Sequence, residues 1–184
     1  MSDGLKIAIT GGIACGKSAV TEFLRRAGVA VADADEIVHE LIPAEERREL
    51  AKKVFRDPAA RRELEARIHP LVKQRIRSFF EENSRRTAVV AVPLLFEVGW
   101  DGEYDAICTV ASSREKQISR MMSARGYSRE EAENRMAAQM PVSEKAARSQ
   151  YVIENDGTMA ELERAAGRFL EWLKAQSVSK GVGV

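Results

Sequence analysis

Residues Gly11-Gly12-Ile13-Ala14-Cys15-Gly16-Lys17-Ser18 fit the pattern G-x-x-x-x-G-K-[ST] at every fixed position. That pattern needs a buried strand before it and a helix after it, and the flanks supply both. Leu5, Ile7 and Ile9 with Ala8 form a compact apolar run, as expected of a strand covered on both faces. From Ser18 onward, Val20, Phe23 and Leu24 lie opposite Glu22, Arg25 and Arg26 at helical spacing, and Gly28 marks the stop. Each part of the loop has its own physical role. Glycines let successive N–H groups turn toward a phosphate, and the helix N-terminus adds its positive end. Lys17 supplies a point charge, and the Ser18 hydroxyl is a ligand for Mg²⁺. Gly12, Ile13, Ala14, Cys15, Gly16, Lys17 and Ser18 are therefore the expected seat of a nucleotide's phosphates.

The rest of the chain alternates between strand and helix patterns. Val29 to Ala32, Ala88 to Val92, Ala106 to Val110 and Tyr151 to Ile153 read as strands. A helix is expected from about Ser113 to Arg125, ended by Gly126. Ser128 with Glu131 is a capping-box pattern for another, and Leu162 to Leu173 a closing one. Alternation of this kind predicts an α/β fold with a parallel sheet flanked by helices. Between Asp35 and Thr87 the pattern is helical and charged, too long for a simple crossover. Its apolar stripes are Ile37, Val38, Leu41 and Ile42; then Leu50, Val54 and Phe55; then Leu64, Ile68, Leu71, Val72, Ile76, Phe79 and Phe80, with a kink or boundary expected at Pro70. The predicted organisation is a core at about 1–36, 86–126 and 150–176, a helical substrate lobe at about 37–85, and a short helical lid at about 127–149. Residues 177–184 read as a frayed tail.

Several function classes are disfavoured. Lys and Arg total 29 against 28 Asp and Glu, a formal charge of +1, so no global charge excess asks for nucleic acid. No stretch approaches the roughly 18 apolar residues of a membrane span. Cys15 and Cys108 are too few for a disulfide framework and read as buried thiols in a reducing cytoplasm. The D-x-x-G and N-K-x-D patterns of a GTPase do not follow the loop. The third strand runs into Val92-Pro93 rather than ending in Asp, unlike a large motor or transporter ATPase. A small kinase using ATP fits best.

Separated motifs then resemble one family. They are Thr10-Gly-Gly-Ile-x-x-Gly-Lys-Ser18, Asp33-Ala-Asp35, Ile68-His-Pro70, Pro93-Leu-Leu-x-Glu97, Gln117-x-x-Arg120 and Asn155-x-Gly157. In order and spacing, from Ile7 to about Gly157, the chain resembles the dephospho-CoA kinase family. The resemblance implies phosphorylation of the ribose 3′-hydroxyl of dephospho-CoA by ATP with Mg²⁺, on a core with substrate lobe and lid. One departure stands out: Ile42-Pro-Ala-Glu-Glu leads quickly into Val54-Phe-Arg-Asp-Pro58, where the family commonly carries a longer helical lobe. The rival readings are another small nucleoside or nucleotide kinase, or a non-catalytic nucleotide-binding regulator.

Residue types sort the candidates. A kinase acting on a hydroxyl needs an acceptor for its proton, and Asp35 at the end of the second strand fits that role. Asp33 serves either as a helix cap or through Mg²⁺-bound water. Arg120 suits the spread charge of a transferring phosphoryl group, with Arg125 and Arg135 flanking the lid; a solvated helix face is the bland alternative. His69 either contacts the acceptor substrate or punctuates a helix. Glu97 either approaches the acceptor or caps the next element. Asn155 and Gly157 fall where the family places adenine, and Gly157 also suits a plain turn. Trp100 and Trp172 read as packing residues.

Overall fold

The computed structural model describes residues 4–43, 46, 57–181 and 183. The chain divides into two compact units, Met1–Val31 with Asn83–Val184, and Ala32–Glu82. Strand β1 (Lys6–Gly11) is followed by α1 (Lys17–Arg26), β2 (Ala30–Asp33), α2 (Ala34–Leu41) and α3 (Pro58–Glu82). Then come β3 (Ala88–Ala91), a 3₁₀ turn (Asp101–Glu103), β4 (Ala106–Ala111), α4 (Arg114–Arg125), α5 (Arg129–Ala137), α6 (Val142–Ala147), β5 (Tyr151–Glu154) and α7 (Met159–Lys180).

The five strands form one sheet in the order β2-β3-β1-β4-β5. β1 pairs in parallel with β3, Lys6 opposite Ala88, and with β4, Ile7 opposite Ala106. β4 pairs in parallel with β5, Cys108 opposite Tyr151. The chain visits β2 and β3 on one side of β1 before crossing to β4 and β5. The carboxyl end of β1 thus lies near the reversal of strand order, where parallel sheets receive ligands.

The apolar runs explain the core of the larger unit. Ile7, Ile9, Val89, Val110 and Ile153 from the strands pack with Val20, Leu24, Leu162, Phe169 and Leu173 from α1 and α7. Burying a side chain such as Phe169 stabilises by roughly 1.5–3 kcal/mol. Tyr151, Phe169 and Trp172 make a ring cluster, with centroids 4.9–5.8 Å apart. Trp172 and the buried Trp100 are packing residues, as expected. Cys15 and Cys108 are both buried and unbridged.

In the smaller unit, α3 starts at Pro58 behind the cap Asp57, whose Oδ1 accepts the N–H of Ala59 at 2.8 Å. It runs on through Pro70, where a boundary was an open expectation. Ile68, Val72, Ile76 and Phe80 are buried, but Leu71 is 44% exposed. With ~3.6 residues per turn, Leu71 falls about 60° to one side of Ile68 while the buried residues step to the other. The stripe of Leu50, Val54 and Phe55 lies outside the described residues.

The C-terminus corrects the sequence reading. α7 begins at Met159 with a Thr158–Glu161 capping box and runs to Lys180. Ser177 is buried, its hydroxyl donating to the Leu173 carbonyl at 2.8 Å and pairing with Thr87 Oγ1 at 2.5 Å. The Thr87 N–H donates to the Gly183 carbonyl at 2.7 Å. A serine facing inward looks polar in sequence, which is why this docked end read as a frayed tail.

Candidate phosphate-binding site

The loop between β1 and α1 combines tight backbone with side-chain bracing. Gly16 caps α1 with φ 94°, and Ala14 has φ 59°, the left-handed region that non-glycine residues rarely enter. Left-handed residues placed this way let neighbouring N–H groups converge on an anion. A side chain at Gly16 would strike the Asn155 carboxamide, and one at Gly12 the Gln117 carboxamide.

Those two contacts belong to a larger frame. Gln117 Nε2 donates to the Ile13 carbonyl at 2.8 Å, while Gln139 Oε1 accepts the Ile13 N–H at 3.1 Å. One peptide residue is thus held on both sides by carboxamides. Asn155 Nδ2 donates to the Cys15 carbonyl at 2.8 Å. Arg120 donates through Nη1 to the Ala14 carbonyl (3.2 Å) and Ser112 Oγ (2.9 Å), and through Nη2 to the Asn155 carbonyl (2.8 Å) and Oδ1 (3.3 Å). Ser112 Oγ in turn donates to the Asn155 carbonyl at 2.7 Å. Burial pushes the Cys15 thiol above its ordinary value, outweighing hydrogen bonds with Ser112 and Gly12 and the Arg120 charge. The thiol is neutral at pH 7 and packs as a small apolar group.

Helix geometry explains how α4 reaches the loop. Gln117 and Arg120 stand three apart and share a face. Ser113 begins the helix without a side-chain cap, its N–H donating to Asp156 Oδ1 at 2.7 Å, and Gly126 ends it at φ 67°. The expected capping box of Ser128 and Glu131 opens α5. Behind the loop, Ile118, Met121 and Ala132 form a small core with Ile13, Ala14, Tyr127 and Met136. The loop, α4 and α5 therefore pack as one piece.

The structure brings Gly12–Ser18, Arg120 and Asn155 together in this frame. Ser18 lies in the first turn of α1 with an exposed side chain, and Lys17 opens that helix. Gly157 sits just before the capping box of α7, and a side chain there would collide with Glu161. Arg125 is exposed in the last turn of α4, and Arg135 is exposed with its guanidinium 4.3 Å from the Tyr127 ring centre. Glu97 is engaged by Lys145 and the Met140 N–H. Asp33, Asp35 and His69 belong to the smaller unit. There Asp33 caps α2, its Oδ1 accepting the Asp35 N–H at 2.8 Å, and Asp35 is exposed in the first turn. His69 is half-buried on α3.

The motifs within this frame match a described family: the model for CoaE, dephospho-CoA kinase, fits residues 5–46 and 43–161. The chain belongs to the dephospho-CoA kinase family. The two matched ranges overlap at residues 43–46. A dephospho-CoA kinase of Geobacter sulfurreducens is 41% identical over 183 residues, covering 86% of this chain and 93% of the relative. A crystal structure of TT1252 from Thermus thermophilus superposes with a TM-score of 0.77 at 36% identity, covering 92% of this chain and 98% of the other. The dephospho-CoA kinase of Campylobacter jejuni, at 21% identity and a TM-score of 0.62, shares the fold over 92% of this chain and 97% of its own.

Sequence reasoning missed three side chains in this family member's frame: Ser112, Gln139 and Lys145. For Gln117, the i, i+3 spacing with Arg120 is the signal in the sequence that points to its place on the loop. Lys145 carried none, since a lysine in a charged lid reads as solvated.

Proposed function

We propose that the chain transfers the γ-phosphoryl group of ATP to the ribose 3′-hydroxyl of dephospho-CoA, giving CoA and ADP. The observation that carries this reading is the braced phosphate loop Gly11–Ser18 in a chain of the dephospho-CoA kinase family. Loop amides, the N-terminus of α1 and Lys17 oppose the charge of the β- and γ-phosphates. Asn155 and Gly157, after β5, are assigned to the adenine side. Asp35 accepts the proton of the acceptor hydroxyl, and His69 and Arg135 contact the acceptor. Asp33 orders the turn that carries Asp35. Arg120 stabilises the transferring group either directly or by fixing the Ala14 carbonyl of the loop.

Among the described residues no group of three or more His, Cys, Asp or Glu could hold a metal ion by itself. A Mg²⁺ ion that arrives with ATP needs no such cage, since phosphate oxygens and water supply most of its ligands. The exposed Ser18 hydroxyl in the first turn of α1 fits the remaining protein ligand. When bound, Mg²⁺ neutralises charge on the β- and γ-phosphates.

No helix among the described residues is long and apolar enough to cross a membrane. The two unbridged thiols support a cytoplasmic site of action. An ADP-release assay with dephospho-CoA, AMP and adenosine as separate acceptors tests the reading. Turnover with dephospho-CoA alone is expected. Preference for adenosine or AMP would reassign the chain to nucleoside or nucleotide phosphorylation, and ATP binding without turnover would make it a regulator.

A further inference from the structure

Lys145 on α6 is wholly buried, at 0% exposure. Its Nζ donates to the Pro93 carbonyl at 2.8 Å and to Glu97 Oε1 at 2.8 Å. The same Glu97 oxygen accepts the N–H of Met140 at 2.9 Å. The Pro93 carbonyl also accepts the hydroxyl of Thr10, at 3.1 Å, one residue before the phosphate loop. Next to Met140, Gln139 reaches the loop itself through the Ile13 N–H. These bonds close a circuit. It runs from Thr10 to Pro93, through Lys145 and Glu97 to Met140, and through Gln139 back to Ile13.

Burying an ammonium group costs several kcal/mol unless it is paired and hydrogen-bonded, and even then the pair adds little net stability. Apolar side chains in place of the whole pair would fill the same space at no such cost. What the ammonium supplies is geometry, because its two donors fix α6 against the segment Pro93–Glu97, which the Thr10 hydroxyl and the Met140 N–H also meet. Gln117, Arg120 and Asn155 brace the loop from α4 and the end of β5; the circuit braces it from the lid.

Building on the kinase reading, we propose that Lys145 and Glu97 form one anchor that holds Gln139 on the phosphate loop, making Lys145 and Gln139 positioning residues for phosphoryl transfer. Glu97 is then the counter-ion of Lys145 and not an acceptor contact. An anchored lid keeps water from the γ-phosphate. When the anchor is lost, water replaces the acceptor: its oxygen bonds the γ-phosphorus, the bond to the β,γ-bridging oxygen breaks, and ADP and phosphate leave with a proton passing to solvent. Loosening should therefore raise the ADP formed per CoA formed as well as slow the transfer.

The test uses the full chain with Gln139→Met, Lys145→Met, Glu97→Gln, Glu97→Ala and the Lys145→Met/Glu97→Gln double variant. Four quantities are read: kcat, KM for dephospho-CoA, the ADP-to-CoA ratio, and amide exchange of the peptide covering 137–147. Gln139 is only half-buried, so Gln139→Met tests the proposal even if changes at Lys145 fail to fold. It should lower kcat about 10- to 100-fold, the range for a small misplacement of reacting groups. It should also raise the ADP-to-CoA ratio, leave the acceptor KM within about 2-fold, and speed exchange at 137–142. Glu97→Gln keeps an oxygen for Met140 and should rescue much of the protection lost in Glu97→Ala. The double variant should be no worse than Lys145→Met alone, as for residues acting as one unit. Gln139→Met with wild-type kcat, product ratio and exchange would overturn the proposal. So would a Glu97→Gln variant with an acceptor KM raised more than about 10-fold and unchanged lid exchange. A wild-type chain that makes no CoA sinks the kinase reading, while exchange in Gln139→Met and Glu97→Ala still decides the anchor.

Discussion

The phosphate loop in the larger unit is held by side chains far away in sequence: Arg120 on Ala14, Gln117 and Gln139 on Ile13, Asn155 on Cys15. The Asp-x-Asp turn in the smaller unit is shaped by a local bond, from the Asp35 N–H to the Asp33 carboxylate. The contrast separates two kinds of site residue. Side chains that build the loop's frame should change stability and rate together, because removing one leaves buried partners unpaired. Side chains proposed to act on the substrates should change rate more than stability.

Lys17→Ala sets the upper end of the second kind. In the proposed reading its ammonium acts on loaded phosphates, and losing one such donor typically costs about 10²–10³-fold in rate. We expect kcat/KM to fall by about 10³-fold, with the loss of stability read from urea denaturation smaller than the loss of rate. Wild-type-like kcat/KM in a folded variant would remove the phosphate-binding reading of the loop.

Deleting 177–184 tests the opposite kind, an effect on stability without one on chemistry. Thr87 would lose its partner for a buried hydroxyl and the Gly183 carbonyl that its N–H meets. One unpaired buried group costs about 1–3 kcal/mol, so a loss of about 2–6 kcal/mol is expected for the two. Urea denaturation at unchanged m measures it, and a shift under 0.5 kcal/mol would mean the end does not dock. Strands β1, β3 and β4 were legible because they are buried along nearly their whole length and run largely apolar, and β5 because Tyr151, Val152 and Ile153 form a short apolar run although only Ile153 is fully buried. The loop was legible because backbone geometry and phosphate chemistry restrict its residue types. Ser177, Lys145 and Gln139 were not, since a polar residue satisfied by a distant partner has the same local pattern as a solvated one. Leu71 shows the converse, an apolar residue at helical spacing that falls just outside the buried arc.

Asp35→Asn keeps the shape of the turn and removes a proton acceptor. A base contributes about 10²–10⁴-fold in general, and phosphoryl transfer with a loose transition state sits at the low end. A fall of about 10² in kcat is expected, with ATP affinity largely intact and less loss of stability than of rate. An equal fall in the denaturation midpoint would erase the distinction drawn between the two units.

Cys108 gives a pH signature to the larger unit. Burial raises its thiol well above the ordinary value of 9.0. A group whose pKa is raised by folding contributes stability in full below its unfolded value and loses it as pH rises toward the folded one. Stability should therefore decline above about pH 9, by up to about 1.4 kcal/mol per pH unit from this group. Cys108→Ala should flatten that decline relative to wild type in melts between pH 8 and 10.5. Identical slopes would assign the alkaline loss to other groups.

The smallest effect is expected at Asp33, and it bears most directly on how the smaller unit works. Its carboxylate accepts the Asp35 N–H at 2.8 Å, in the position of an N-cap. Asn is nearly as good a cap as Asp, so Asp33→Asn should alter stability by only a few tenths of a kcal/mol, while Asp33→Ala should lose about 1. If capping is the whole role, kcat follows the same order, near wild type for Asn and lower for Ala as the turn carrying Asp35 loosens. If Asp33 also orders Mg²⁺-bound water, Asp33→Asn loses activity that high Mg²⁺ partly restores, because a weaker contact to the ion is offset by mass action. Measuring kcat and the midpoint for both variants across a Mg²⁺ series separates the two. An Asp33→Asn variant that is folded, inactive and unresponsive to Mg²⁺, beside an active Asp35→Asn, would exchange the two roles and make Asp33 the proton acceptor.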